Sequence, residues 1–121
     1  MYRIEIGDIL NYKSKKKSHS DYNHGGWYLI LNKLNNKRYI GKSIEYMFRL
    51  KQHLNLKNPK TVIDKEIKII GYENFEFYLL NHYNEYNINF FNRKLEVKIE
   101  NELIKQIKSY HPFGYNIKFY E

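Results

Sequence analysis

The chain contains no cysteine, no alanine, only two prolines and no long apolar run. Without cysteine, disulfides and thiolate metal sites are excluded. No apolar run approaches the roughly 20 residues that a membrane span needs. Charged residues interrupt Tyr2–Leu10, which is unlike the apolar core of a signal peptide. We therefore expect a soluble, intracellular protein located in the cytoplasm, with no membrane association.

Acidic residues are nearly absent from residues 26–60. Eight Lys or Arg are accompanied there by a single acid, Glu45, which gives a net charge of +7, whereas residues 61–90 carry a net charge of −3. Nearly all of the formal surplus of +8 therefore lies in one third of the chain. Such localised charge is typical of a surface that binds a polyanion such as nucleic acid. A merely solubilising surface would give the same pattern.

Four residue types, lysine, asparagine, isoleucine and tyrosine, supply about half of the 121 residues. This bias indicates an AT-rich coding sequence, as in a low-GC bacterium, a phage or an organelle, and it weakens arguments from lysine or tyrosine abundance alone. The length suits one domain with a real core. We expect residues 1–24 to form a basic, partly flexible N-terminal extension with one candidate strand, and residues 25–121 to form the domain.

The pattern of apolar residues predicts an α+β fold. The expected strands cover 27–32, 37–41 and 74–83, and the expected helices cover 43–56, 61–70 and 92–110. Ser43 is the expected N-cap of the first helix, and asparagines lie at the tip of the first hairpin. The order β-β-α-α-β-α predicts a small antiparallel three-stranded sheet flanked by helices.

Glu100 lies in the middle of the apolar face of the last predicted helix, among Ile99, Leu103 and Ile107. Burying an ionised carboxylate costs several kcal/mol or more unless it has a partner. Glu100 must therefore pair with a cation, bind a metal or lie at the rim of a cleft. Glu96 shares this face and competes for the same role.

The segment Gly41–Ser43 reads Gly-Lys-Ser, which invites a phosphate-loop interpretation. A Walker loop needs a glycine five residues before its second glycine, and that position is Asn36. The nucleotide-loop interpretation therefore fails, and the two tyrosines that flank the hairpin need another explanation.

Six sequence features occur together in a fixed order. They are "GWY" at 26–28, "YIG" at 39–41, Arg49, His53, the glutamate of "ENELI" and "GYN" at 114–116. In this combination and spacing the chain resembles the GIY-YIG nuclease superfamily from residue 25 to residue 116. Trp27 departs from the usual isoleucine or valine. The glutamate is assigned to Glu100 because its context and its distance to Asn116 fit better than those of Glu96 or Glu102.

The resemblance implies a metal-dependent endonuclease that hydrolyses phosphodiester bonds of DNA. Glu100 would hold Mg²⁺ or Mn²⁺, since Mg²⁺ is bound by one or two carboxylates with waters and phosphate oxygens. Tyr28 would activate water as a general base, which requires nearby positive charge because a free phenol has a pKa of about 10. Arg49 would stabilise the crowded phosphorus centre.

Three further residues receive roles from the same resemblance. Tyr39 would orient the water or the phosphate, His53 would form a hydrogen bond with a tyrosine hydroxyl, and Asn116 would tie the end of the chain to the site. The expected nucleic-acid contacts are Lys33, Lys37, Arg38, Lys42, Lys51 and Lys57.

Other interpretations stay open at this point. One is a non-catalytic nucleic-acid-binding module with the same fold, and another is a generic basic α+β protein. Within the nuclease interpretation, the sequence is compatible with a restriction enzyme, a mobile-element nuclease and a small non-specific nuclease. Recognition of DNA would come from the basic segments, from a homodimer or from an unidentified recognition partner.

Overall fold

A computed structural model describes residues 1–117 of the chain. Its strands are β1 (Tyr2–Ile4), β2 (Gly26–Asn32), β3 (Arg38–Ser43) and β4 (Phe75–His82), and its helices are α1 (Ile6–Leu10), α2 (Tyr46–Asn55), α3 (Val62–Ile70) and α4 (Arg93–Ile107). Short 3₁₀ turns cover Tyr72–Asn74, Tyr83–Tyr86 and Phe90–Asn92. None of the helices within residues 1–117 is long and apolar enough to cross a membrane.

The sheet is antiparallel with the strand order β1-β4-β2-β3. This confirms the α+β class, but the sheet has four strands where the sequence predicted three. The additional strand is β1, in which Tyr2 pairs with Leu79 and Ile4 with Phe77. It corresponds to the candidate strand of the N-terminal extension. Its place in the sheet was not predicted, because the pairing depends on the free edge that β4 offers.

Helices cover both faces of the sheet. Tyr28 and Ile30 lie on one face with apolar residues of α2 and α3. Leu29, which points the other way along β2, packs with Ile40 and with Ile104 of α4. The two tyrosine-bearing strands are therefore held between two helical layers.

The helix ends differ from the prediction in two places. Helix α2 begins at Tyr46 with Glu45 as the N-cap, because Ser43 is still the last residue of β3 and its hydroxyl accepts a hydrogen bond from the Glu45 amide. Helix α4 ends at Ile107, three residues before the predicted end, because Lys108 adopts a left-handed conformation with φ of 61°. The structure confirms the boundary of α3, where Thr61 is the N-cap.

The C-terminal segment covers the outer edge of β3. The backbone amide of Tyr115 donates to the carbonyl of Arg38 at 2.9 Å. The Asn116 side chain then both accepts from the Ile40 amide and donates to the Ile40 carbonyl, each at 2.8 Å. Asn116 thus satisfies the strand edge with a side-chain amide, as a neighbouring strand would with its backbone.

The N-terminal segment contacts the domain through Glu45. The Glu45 carboxylate accepts hydrogen bonds from the Tyr12 and Ser14 hydroxyls and from the Lys15 and Lys16 amides. These bonds hold the pKa of Glu45 below its usual range, although burial acts in the opposite direction. The predicted division of the chain after residue 24 stays a prediction.

Candidate active site

Tyr28 and His53 meet beneath the hairpin. Tyr28 of β2 lies opposite Gly41 of β3, and a Cβ atom at position 41 would overlap the Tyr28 ring. The glycine therefore makes room for the phenol. The Tyr28 hydroxyl reaches the Nε2 atom of His53 on α2 at 2.9 Å, which is the tyrosine–histidine hydrogen bond that the sequence predicted.

The other ring nitrogen of His53 bonds to an aspartate that the sequence analysis did not identify. His53 Nδ1 contacts Asp64 Oδ1, and the Thr61 hydroxyl donates to Asp64 Oδ2 at 2.8 Å. Asp64 is only 3% exposed. The sequence carried a partial signal, because Thr61 and Asp64 have the spacing of a helix-start capping pattern. That signal accounts for the start of α3 and does not predict the contact with His53.

Charge and burial act in opposite directions on Asp64. Burial raises the pKa of the Asp64 carboxyl, but the hydrogen bonds from His53 and Thr61 and the charge of Arg49 act in the opposite direction, and the pKa lies below its ordinary value. Asp64 is therefore an ionised acceptor. An ionised Asp64 places the His53 proton on Nδ1 and leaves Nε2 free to accept from Tyr28.

The pKa of Tyr28 is raised well above its ordinary value. Burial is the main cause and the nearby Tyr39 phenol adds to it, while the charge of Arg49 acts in the opposite direction. Tyr28 is 1% exposed. The protein alone thus keeps this phenol protonated, and additional positive charge is required before it can act as a base.

Tyr39 completes an aromatic cluster with these two rings. Its ring centroid lies 6.4 Å from that of Tyr28 and 5.8 Å from that of His53. Arg49 lies on α2 one turn before His53 and donates to Gln52 at 3.2 Å. The sequence-predicted pair of Arg49 and His53 therefore lies at the tyrosine cluster.

Glu100 is buried on α4, with 5% of its surface exposed. Its Oε1 atom has no hydrogen-bond partner within the described part of the chain. Burial raises the pKa of Glu100 to about 7; Lys42 opposes this shift and the neighbouring Glu96 adds to it. The carboxylate has the character that the sequence predicted for a metal ligand or a cleft residue.

Glu96 has a different environment from Glu100. Its carboxylate lies 3.3 Å from the Lys42 ammonium. Its backbone carbonyl accepts a hydrogen bond from the Trp27 indole at 3.2 Å. The core-edge salt bridge that the sequence left open is therefore formed by Glu96, one turn before Glu100.

A cleft of about 300 Å³ brings Tyr39, Glu100 and Asn116 together, and its wall also includes Thr61. These residues come from opposite sides of the sheet. They meet because β3 is the edge strand, so groups from α3 and from α4 can reach around it.

The six expected nucleic-acid contacts fall into two groups. Lys33, Lys37 and Lys57 are exposed. The other three are bound within the fold: Lys42 to Glu96, Arg38 to the Ile107 carbonyl at 3.4 Å, and Lys51 to the Tyr12 carbonyl at 2.9 Å. Their role in nucleic-acid binding stays a prediction.

Residues 1–117 contain no cluster of three or more His, Asp or Glu side chains that could hold a metal ion. A metal at this cleft would therefore be held by no more than two of these protein side chains. That arrangement suits Mg²⁺, which keeps several waters and binds through one or two carboxylates plus substrate phosphates.

Comparison with known proteins identifies similar domains. The family model described as the GIY-YIG catalytic domain matches residues 24–116. The catalytic domain of the homing endonuclease I-TevI has a similar structure, with 28% sequence identity and a TM-score of 0.61 over 78% of this chain and 98% of that one. A mutant of the catalytic domain of intron endonuclease I-TevI matches at 27% identity with a TM-score of 0.62, over 80% of this chain and 96% of that one. No match was found among curated proteins.

Proposed function

The chain belongs to the GIY-YIG catalytic domain family, and on that basis we propose that it is a metal-dependent endonuclease that hydrolyses phosphodiester bonds of DNA. The observation that carries this proposal is the buried Oε1 of Glu100, which has no hydrogen-bond partner among residues 1–117 and lies in a cleft shared with Tyr39 and Asn116. A buried carboxylate without a hydrogen-bond partner destabilises a fold. A cation bound between it and a phosphate would offset that cost.

Glu100 would hold the divalent metal, Mg²⁺ or Mn²⁺. The residues fit such an ion because Glu100 offers a free oxygen and the salt bridge to Lys42 engages the neighbouring Glu96. When bound, the metal supplies positive charge that offsets charge developing on the phosphate and the leaving oxygen.

Tyr28 would be the general base, and His53 its proton acceptor. The phenolic oxygen takes a proton from the attacking water while the phenolic proton passes to Nε2 of His53, 2.9 Å away. His53 then carries a positive charge, which the ionised Asp64 on its other nitrogen stabilises. This relay gives the Tyr28 proton a destination, although burial raises the pKa of the phenol.

Arg49 and Tyr39 would act on the phosphate. Arg49 is permanently cationic and lowers the pKa of Tyr28 through its charge, so the same guanidinium that favours the phenolate also suits a phosphate oxygen. Tyr39 lines the cleft beside Glu100 and would orient the water or the phosphate.

The experiment incubates supercoiled, linear and single-stranded DNA with the protein and Mg²⁺, and with EDTA as the metal-free control. We expect cleavage only with the metal. Tyr28→Phe removes one hydroxyl and should lower turnover by about 10²-fold or more, the scale of a lost general base. Tyr78→Phe, a half-buried tyrosine on β4, is the matched control and should keep the wild-type rate.

Two outcomes would contradict the proposal. DNA binding without metal-dependent cleavage would indicate a non-catalytic nucleic-acid-binding module with this fold. A near-wild-type rate in Tyr28→Phe would exclude that residue as the base.

A further inference from the structure

A second pocket, of about 420 Å³, lies beside the candidate active site. Four parts of the chain form it: the N-terminal extension, the end of β3 with Ile44, the turn that begins at Tyr83, and the segment from Phe90 into the start of α4. Its principal lining residues are His19, Tyr22, Lys42, Phe90, Arg93 and Glu96. The volume falls within the range of small-ligand pockets, about 300–1,000 Å³.

The charge of this pocket favours an anion. Lys42 and Arg93 contribute two cations against one carboxylate, that of Glu96. Glu96 is 5% exposed and lies 3.3 Å from Lys42, so its negative charge is largely compensated. Arg93 is exposed and can therefore turn its guanidinium toward a phosphate.

The pocket also offers aromatic surface. Phe90 lines it and is 65% exposed. Tyr22 and Tyr83 also line the pocket, and their ring centroids lie 6.2 Å apart. An exposed aromatic ring next to cations is the combination with which proteins bind unpaired nucleotides, the ring stacking on the base and the cations contacting the backbone.

The pocket and the cleft are neighbours along α4, although they share no lining residue among residues 1–117. Glu96 lines the pocket and Glu100 lines the cleft, and four residues of helix separate them by about 6 Å. Lys42 belongs to the pocket and also lowers the pKa of Glu100. A strand whose phosphate lies at Glu100 would therefore pass directly into this pocket.

We propose that this pocket binds one nucleotide of the substrate strand next to the scissile phosphate. Its phosphate contacts Arg93 and its unpaired base stacks on Phe90. This inference rests on the proposed nuclease function and adds to it a preference for substrate that is single-stranded or unpaired at that nucleotide.

The experiment measures the affinity of the full chain for a fluorescein-labelled single-stranded oligonucleotide in EDTA, so that binding is separated from cleavage. Phe90→Ala should weaken binding by about 5- to 100-fold, the scale of one lost base stack. Tyr2→Ala is the matched control, because Tyr2 is an aromatic residue that is 67% exposed, close to the value for Phe90, and it is not among the residues that line the pocket. It should bind like wild type.

A scan with abasic nucleotides then locates the base. In wild type, one abasic position should weaken binding as much as Phe90→Ala does, and in Phe90→Ala that position should cause no further loss. Equal affinity of the Phe90→Ala and Tyr2→Ala variants would overturn the inference. If wild type then still cleaved DNA with Mg²⁺, the proposed function would stand. If Phe90→Ala weakened binding but wild type cleaved no DNA, nucleotide binding by the pocket would be supported and the proposed nuclease function would be contradicted.

Discussion

Glu100 is a carboxylate whose burial costs stability unless a metal is bound. Its pKa is about 7 in the folded protein, whereas an unperturbed glutamate has a pKa of about 4.3. Between these values the folded state binds more protons than the unfolded state. Its contribution to stability is therefore fully present at acid pH and is lost as the pH rises through 7.

We predict that Glu100→Gln raises the free energy of unfolding in EDTA at pH 8, by at most about 4 kcal/mol, and has a smaller effect at pH 5. Thermal and urea unfolding across this pH range would measure the difference. Mg²⁺ should raise the Tm of wild type and leave that of Glu100→Gln unchanged. Glu102→Gln, on the exposed side of the same helix, controls for a general charge effect.

A Tm that Mg²⁺ does not move in wild type would remove Glu100 from the metal site. Loss of cleavage in Glu96→Ala with cleavage retained in Glu100→Ala would show that the neighbouring glutamate is the ligand.

Asp64 acts at the same scale through His53. Asp64→Asn keeps the side-chain size and removes the charge that places the His53 proton on Nδ1. We expect kcat to fall by about 10²-fold with little change in KM, since Asp64 is buried and touches no substrate. The ¹⁵N shifts of the His53 ring should report a changed proton position, which a purely structural role would not produce.

The matched control for this prediction is the hydroxyl that holds Asp64. Thr61→Ser keeps the donor to Asp64 and should preserve the rate, whereas Thr61→Val should lower it. Unchanged kcat and ring shifts in Asp64→Asn would show that His53 needs no orienting partner.

At the scale of elements, the closure of the β3 edge decides the shape of the cleft. Asn116→Ala removes both hydrogen bonds to the Ile40 backbone and leaves a buried amide and carbonyl unsatisfied. We predict a loss of about 1–3 kcal/mol in the free energy of unfolding and faster hydrogen exchange at the Ile40 amide. Asn58→Ala, in an exposed loop outside the hairpin, should leave the Ile40 exchange unchanged. An Ile40 amide that stays protected in Asn116→Ala would contradict this role of Asn116.

The elements themselves were predicted with different success. Strand β2 is a short apolar run, β4 alternates and α3 has helical periodicity, and all three appear within one or two residues of their predicted bounds. Helix α2 begins later than predicted because Ser43 extends β3 instead of capping the helix. Strand β1 was missed as a sheet member because only its neighbour β4 defines it.

At the scale of the whole molecule, the net charge of +7 over residues 26–60 predicts electrostatic binding of DNA. Affinity should fall with salt, each neutralised phosphate adding about −0.9 to the log–log slope on duplex or about −0.7 on single strands. Titrations on unrelated sequences would measure this slope. Charge reversal at Lys33 or Lys57, which are exposed, should make the salt dependence less steep. Tight, salt-insensitive binding to one short sequence would contradict the prediction and favour a restriction-like dimer.

The sequence by itself determined the family and the identity of most candidate site residues. It could do so because neighbouring motif positions lie within single elements. Tyr39 and Gly41 both lie on β3, and His53 comes one helical turn after Arg49 on α2. The family match over residues 24–116 confirms the resemblance. The catalytic roles assigned to these residues stay predictions.

Only the tertiary structure decided which distant groups meet. Glu96 and Glu100 share one helix face. The packing of β3 against α4 places Lys42 beside Glu96, and Oε1 of Glu100 has no hydrogen-bond partner among residues 1–117. Asp64 reaches His53 because α3 folds against α2. Periodicity describes one element at a time, so it predicts which face a residue occupies. Which residue it contacts on that face depends on how the other elements pack, and the periodicity of one element does not predict that packing.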